Sequence, residues 1–165
     1  MPNYRRAREG DTWFFTVVTR GRVPILTQPT VRHTLKEVLA ELRRDRPFQI
    51  EAWVLLPDHI HCMWRLPEND SDYSMRWGWF KKEVTKRLHR DGSIWQPRFW
   101  EHQIRDDRDY IAYCDYIHYN PGKHGLVRSP CNWPWSTFQW FLRAGIYMPS
   151  WGSEEVVLPD GVGHE

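Results

Sequence analysis

A single α+β domain, with one antiparallel sheet carrying helices on one face, is predicted by three observations. Apolar spacing alternates between strand and helix periods in the order β-α-β-β-α-β, the split βαβ pattern of ferredoxin-like sandwiches, and one more helix follows. Turn-forming residues at Pro47, Pro57-Asp58 and Asp91-Gly92 punctuate the segments where the period changes. The length of 165 residues, with 41% hydrophobic and 27% charged residues, suits one soluble domain with its own core.

The elements follow in order. Thr12 to Thr19 is β-branched and aromatic and reads as a strand. From Pro29 to about Arg44, Val31, Leu35, Val38, Leu39 and Leu42 recur at helical spacing, and Pro47 closes that helix. Phe48 to Leu55 is a second strand and His59 to Leu66 a third, with Pro57-Asp58 turning between them. Asp70-Ser-Asp72 offers N-caps for a second helix running to about Arg90. His102 to Ile104 is a short fourth strand, and Asp106 or Asp107 caps a third helix ended by Pro121-Gly122. Beyond it, Pro130, Pro134, Pro149, Gly152 and Pro159 predict loop. Residues 1–145 are read as one domain and 146–165 as an acidic tail, either mobile or lying over a basic face.

Several classes are disfavoured. Cys62, Cys114 and Cys131 are odd in number and unpaired by spacing, which argues against a disulfide framework and for a reducing compartment. The charged N-terminus leads into no long apolar run, and no stretch nears the ~18 apolar residues of a membrane span. A cytoplasmic protein is expected. The formal charge is only +2, but residues 151–165 hold four acids and no Lys or Arg, so the rest carries +6. Arg5, Arg6 and Arg8 stand together, and Arg76, Lys81, Lys82, Lys86, Arg87 and Arg90 are offset only by Glu83. Such patches suit a phosphate-rich ligand, although a run of charge on a helix also serves simply as a solvated face. Eleven tryptophans, several beside cations as in Arg76-Trp77 and Arg98-Phe-Trp100, suit either base stacking or core packing.

Two constellations carry chemistry. On a strand, residues i and i+2 share a face, so His59 and His61 project together while Ile60 points away. Paired imidazoles on a rigid sheet are ready metal ligands. The zinc-protease spacing H-E-x-x-H is absent, and no cysteine cluster supports structural zinc. In the last helix, helical periodicity puts Tyr110, Cys114 and Ile117 on one side and gathers Tyr113, Tyr116 and Asn120 roughly opposite, away from the packed stripe. That second group has the layout of a nucleophile beside a metal ligand, or of tyrosines whose rings pack and whose hydroxyls meet water. Spacing does not choose between Tyr113 and Tyr116, and Tyr119 is a further candidate.

Here the sequence resembles a family. Leu56-Pro-Asp-His-Ile-His61 looks like the histidine-hydrophobic-histidine (HUH) motif of single-strand tyrosine transposases. Trp95-Gln-Pro-Arg-Phe-Trp-Glu-His102 and Asp115-Tyr-Ile-His-Tyr-Asn-Pro-Gly-Lys-His-Gly-Leu-Val127 look like segments of REP-associated tyrosine transposases. Trp133-Pro-Trp-Ser-Thr-Phe138 and Asn3-Tyr-Arg-Arg6 fit the same family, so the resemblance spans roughly residues 3 to 140. Gly122 departs from it, standing where Val is more familiar.

The resemblance implies a metal-dependent enzyme that nicks and joins single-stranded DNA at REP-type palindromic hairpins through a 5′-phosphotyrosine. Tyr116 matches the nucleophile, and His59, His61 and Asn120 match the ligands of a divalent ion, Mg²⁺ or Mn²⁺. It also implies a monomer, with dimeric assembly left open. Arg5, Arg6 and Arg8 are expected at a groove or at hairpin phosphates, Arg76, Lys81, Lys82 and Lys86 along the stem, and Trp95, Arg98 and Trp100 against unpaired bases. The competing expectations are a catalytically silent binder of repeat palindromes, and a metal hydrolase or RNA-binding domain using the histidines otherwise.

Overall fold

The computed structural model describes residues 11–163. Four strands, β1 (Thr12–Val18), β2 (Gln49–Leu55), β3 (His59–Arg65) and β4 (Trp100–Gln103), form one antiparallel sheet in the order β2-β3-β1-β4. Four helices accompany it: α1 (Pro29–Asp45), α2 (Tyr73–Arg87), α3 (Asp107–Lys123) and α4 (Phe138–Arg143). Among the described residues no helix is long and apolar enough to cross a membrane.

Strand alternation sorts the core into two layers. Phe15 and Val17 of β1, with Cys62 and Trp64 of β3, meet Val31, Leu35, Val38 and Leu42 of α1 and Trp77, Phe80 and Val84 of α2. The Trp64 and Trp77 rings stack at 4.2 Å and 11°. Most tryptophan of this layer is therefore core. The opposite face is covered too, whereas helices confined to one face would have left it open. Phe14, Ala52, Val54 and Met63 are covered there by Tyr110, Tyr113, Cys114, Tyr116 and Ile117 of α3. The reason is that α3 is buried on nearly every side, so its two supposed faces are both packed.

The caps fall where the acids predicted them. Met75 N–H donates to Asp72 and Asp109 N–H to Asp106, each satisfying a donor that the first helical turn leaves over. Pro121-Gly122 does not end α3. The helix runs on to Lys123 because proline removes only its own N–H, and the stop comes at Gly125, whose φ of 69° lets Leu126 N–H reach the Pro121 carbonyl. The outer edge of β2 is sealed by residues 133–137. Leu55 N–H donates to the Trp135 carbonyl and Thr137 N–H to the Trp53 carbonyl, so one row of strand donors and acceptors is not left exposed. The short α4 that follows was not legible, since six residues carry too little periodicity.

Residues 146–163 do not behave as a separate tail. Tyr147 is buried, stacks on Phe138 at 4.9 Å and donates to Asp115 at 2.9 Å, while Leu158 and Val162 pack on the α3 layer. His118 bridges Tyr147 (2.9 Å) and Thr137 (2.7 Å) from inside α3. Its burial lowers its pKa to about 3. An unfolded chain protonates this ring near its ordinary value of about 6.5, so between those limits the unfolded state holds more protons. Stability is therefore expected to fall as pH drops from 6.5 towards 3, by at most about 1.4 kcal/mol per pH unit. Thermal melts should show it, with a shallower slope in His118→Gln. Equal slopes in the two proteins would refute the assignment.

Candidate active site

Strand β3 presents His59 and His61 on the α3 side of the sheet, both buried, with ring centroids 4.7 Å apart. Each Nδ1 is held. Asp58 Oδ1 lies 2.6 Å from Nδ1 of His59, and Thr16 Oγ1 lies 2.8 Å from Nδ1 of His61. Burial opposes the charge on Asp58, but its bond to His59 and the Arg22 guanidinium 3.4 Å away outweigh that, holding the carboxyl below its usual value. A carboxylate and a hydroxyl at Nδ1 fix the ring planes, so that Nε2 is the nitrogen each ring could offer to a metal.

Helix α3 brings the second half of the site. The Tyr116 ring stands 5.1 Å from that of His61 and 5.9 Å from that of Phe14. Lys123, two turns on, holds its ammonium 5.0 Å from the Tyr116 ring centroid, within range of a cation–π contact. Asn120 is fully buried one turn after Tyr116, and the His124 ring sits 5.3 Å from His59. The continuation of α3 past Pro121 is what carries Lys123 and His124 to the site.

The other tyrosines are placed elsewhere. Tyr113 stacks on His102 at 4.6 Å, and burial raises its hydroxyl pKa against a hydrogen bond from the Gly163 backbone. Tyr110 donates to Glu51 and burial drives its pKa far up. Tyr119 packs toward Gly152 and Trp151. Two imidazoles and a buried amide suit a divalent ion of intermediate softness. Among the described residues no cluster of three His, Cys, Asp or Glu forms an alternative centre.

The C-terminal segment closes over this site. Gly163 lies so near Tyr116 that a Cβ there would fall 2.2 Å from the ring, and its φ is 85°. Only glycine fits.

The expected DNA-contacting residues divide. Arg5, Arg6 and Arg8 lie outside the described residues. Arg76 does not face solvent: it is buried against Asp70 at 2.8 Å and the carbonyls of Arg46 and Pro47, and pulls the Asp70 carboxyl to about 2. Trp95 is fully buried in the α2 layer, which removes it as a stacking surface. Trp100 is half-buried beside Phe14, whereas Lys82, Lys86 and Arg98 are exposed. Lys81 is half-buried and donates to the Gln96 carbonyl at 2.7 Å. Asp58, Thr16, Lys123, His124 and Gly163 were not singled out from sequence. Adjacency to the histidine pair was a usable signal for Asp58, whereas the others needed tertiary contacts.

A histidine pair on a ferredoxin-like sheet faces a tyrosine on the covering helix. The family described as "Transposase IS200 like" matches residues 13–120, and the chain belongs to it; it is an enzyme of the transposase class. Within that class it falls among the REP-associated tyrosine transposases. It is 47% identical over 157 residues to the REP-associated tyrosine transposase of Escherichia coli (strain K12), covering 93% of each chain. A solved REP-associated tyrosine transposase bound to a REP hairpin superposes with a TM-score of 0.84 at 44% identity, over 100% of this chain and 98% of that one. A Deinococcus radiodurans structure at 16% identity (TM-score 0.50, covering 70% of this chain and 95% of its own) shares the fold alone.

Proposed function

We propose that this enzyme nicks and rejoins single-stranded DNA at REP-type palindromic hairpins, with Tyr116 as nucleophile. The observation that carries it is the placement of the Tyr116 ring 5.1 Å from that of His61, one of an imidazole pair whose Nδ1 atoms are both held. The hairpin bound to the relative of known structure supports the substrate class.

A phenol with a pKa near ~10 is about one part in a thousand ionised at neutral pH, so attack requires assistance. Lys123 places a cation against the Tyr116 ring, and the covering layer of Phe14 and α3 keeps the site in a low-dielectric setting where that charge counts. Tyr116 Oη then bonds to the scissile phosphorus, and the phosphorus–O3′ bond opposite breaks. The phenolic proton leaves to solvent, and O3′ departs as a hydroxyl after gaining a proton. The bond energy stays in the phosphotyrosine, so a second 3′-hydroxyl can reverse the step and join a different strand. His59, His61 and Asn120 are the residues that would hold a divalent ion, Mg²⁺ or Mn²⁺, which would supply Lewis acidity toward the scissile phosphate. Both imidazoles, the amide and the tyrosine come from one chain, so a monomer is expected to suffice.

Incubation with a hairpin oligonucleotide and Mn²⁺ or Mg²⁺, followed by a denaturing gel, is expected to show a covalent protein–DNA adduct that chelation abolishes. Tight binding without an adduct would leave a hairpin-binding protein and overturn the mechanism. Asp58→Ala is expected to weaken Mn²⁺ binding by about 10–100-fold, the usual consequence of removing an outer-shell partner. Calorimetric titration checks this independently of turnover, and an unchanged affinity would deny Asp58 its orienting role.

A further inference from the structure

Beneath α1, on the face of the sheet away from Tyr116, the packing leaves a cavity of about 710 Å³. Protein interiors hold few spaces larger than a water molecule, so one of this size calls for a reason. Its floor is the β2–β3 half of the sheet. A bulge between Ile50 and Ala52 turns Ile50 and Trp53, three positions apart, to the same side, where strict alternation would oppose them. Leu55, Ile60, Cys62 and Trp64 complete the floor. Arg32, Leu35, Lys36 and Leu39 of α1 form the roof, and Trp77 and Phe80 of α2 the inner wall. Trp135 and Trp140 close one end, and Trp140 is 58% exposed there.

The lining says what such a space suits. Five of the eleven tryptophans border it, and their faces favour flat rings over flexible chains. Arg32, Lys36 and His33 are its charged or chargeable cationic residues, and no acid lines it among the described residues. His33 is engaged by Glu37 at 3.0 Å. Arg32 is held in place, its Nε donating to the Thr27 carbonyl at 2.9 Å and its guanidinium 4.6 Å from the Trp135 ring centroid. At the inner wall, Trp77 is buried and its indole N–H has no acceptor among the described residues. Burying a donor without an acceptor is costly, and native structures contain few. The unmet donor favours a ligand that carries oxygen over a plain hydrocarbon tail.

We propose that this cavity is a binding site for a small aromatic acid, its rings among the tryptophans and its carboxylate at Arg32 and Lys36. Small-molecule sites have this volume, this mostly apolar and aromatic lining, and a few placed polar groups. The site lies on the opposite face of β3 from His59 and His61, so it is separate from the reaction side and independent of the hairpin reading.

The test titrates 2-naphthoate, and its uncharged amide 2-naphthamide, into the full-length protein by isothermal calorimetry. One equivalent of 2-naphthoate is expected to bind, roughly tenfold more tightly than the amide, as one charge-assisted bond provides. Arg32→Gln is expected to erase that preference, and Lys36→Gln, a change at an exposed position, to reduce it. Leu39→Trp fills the space from the roof and is expected to weaken both probes by about tenfold or more. Equal affinity for the two probes in the wild type would overturn the inference. So would several weak equivalents, which mean adsorption to the surface, or no binding at all. A charge preference that survives both Arg32→Gln and Lys36→Gln, or unchanged affinity in a folded Leu39→Trp protein, would place the probe elsewhere and overturn it equally.

Discussion

Tyr116→Phe is expected to bind hairpin DNA as the wild type does and to form no covalent adduct. The change deletes one oxygen from a ring that otherwise packs on Phe14 and His61, so the fold and the covering layer are kept. On the proposed mechanism, what is lost is the atom that forms the new bond to phosphorus. Removing a nucleophile leaves only residual binding and electrostatic effects, so nicking should fall by more than about 10³-fold. Affinity, by contrast, is expected to rest on cations remote from the hydroxyl. Measuring both on one preparation decides the assignment. An adduct that persists in Tyr116→Phe and disappears in Tyr113→Phe would move the nucleophile one helical turn back.

Shortening the chain after Ser153 is expected to raise the nicking rate, roughly tenfold or more. The removed segment includes Leu158 and Val162, which pack on the α3 layer, and Gly163, which lies on the Tyr116 ring. With that backbone against the Tyr116 ring, the proposed in-line approach of a phosphate requires the segment to lift, so the competent state is the fraction that has lifted. Activity then scales with that fraction, and raising it from a tenth to nearly all gives the stated gain. Gly163→Ala offers the same test without deletion. Its Cβ would fall 2.2 Å from the ring, which forces the segment off and should accelerate nicking in the full-length chain. Rates unchanged in both proteins would mean that the segment yields to DNA at no cost.

Much of this was legible in the sequence because local rules and tertiary outcome agree. The switch of period between Thr12–Thr19 and Pro29–Arg44 marked the strand and the helix, and Asp72 and Asp106 marked helix starts by the hydrogen bonds they accept. The side-by-side projection of His59 and His61 followed from strand geometry alone. Helix α3 was harder. Its buried surface extends almost all round, so a periodicity argument divided Tyr110, Tyr113 and Tyr116 into inner and outer sides that the fold does not keep apart. Nor does sequence charge separate Arg76, whose guanidinium closes a buried corner with Asp70, from Lys82, which remains exposed three half-turns away. The closure of residues 158–163 over the site comes from contacts distant in the chain. Apolar residues there are too sparse to mark packing, and a net acidic stretch ordinarily reads as solvated.

The seal on β2 has a consequence for how the molecule is made. Thr137 satisfies Trp53 from 84 residues further along the chain. At about 5–20 residues per second, a ribosome needs roughly 4–17 s to supply that partner after β2 has emerged. Throughout that interval the strand offers a bare hydrogen-bonding edge rich in aromatic and β-branched residues. Nascent chains cut short before the Trp133–Thr137 segment should therefore be the species that chaperones hold, and the yield of folded protein should respond to translation speed over that stretch more than over any other.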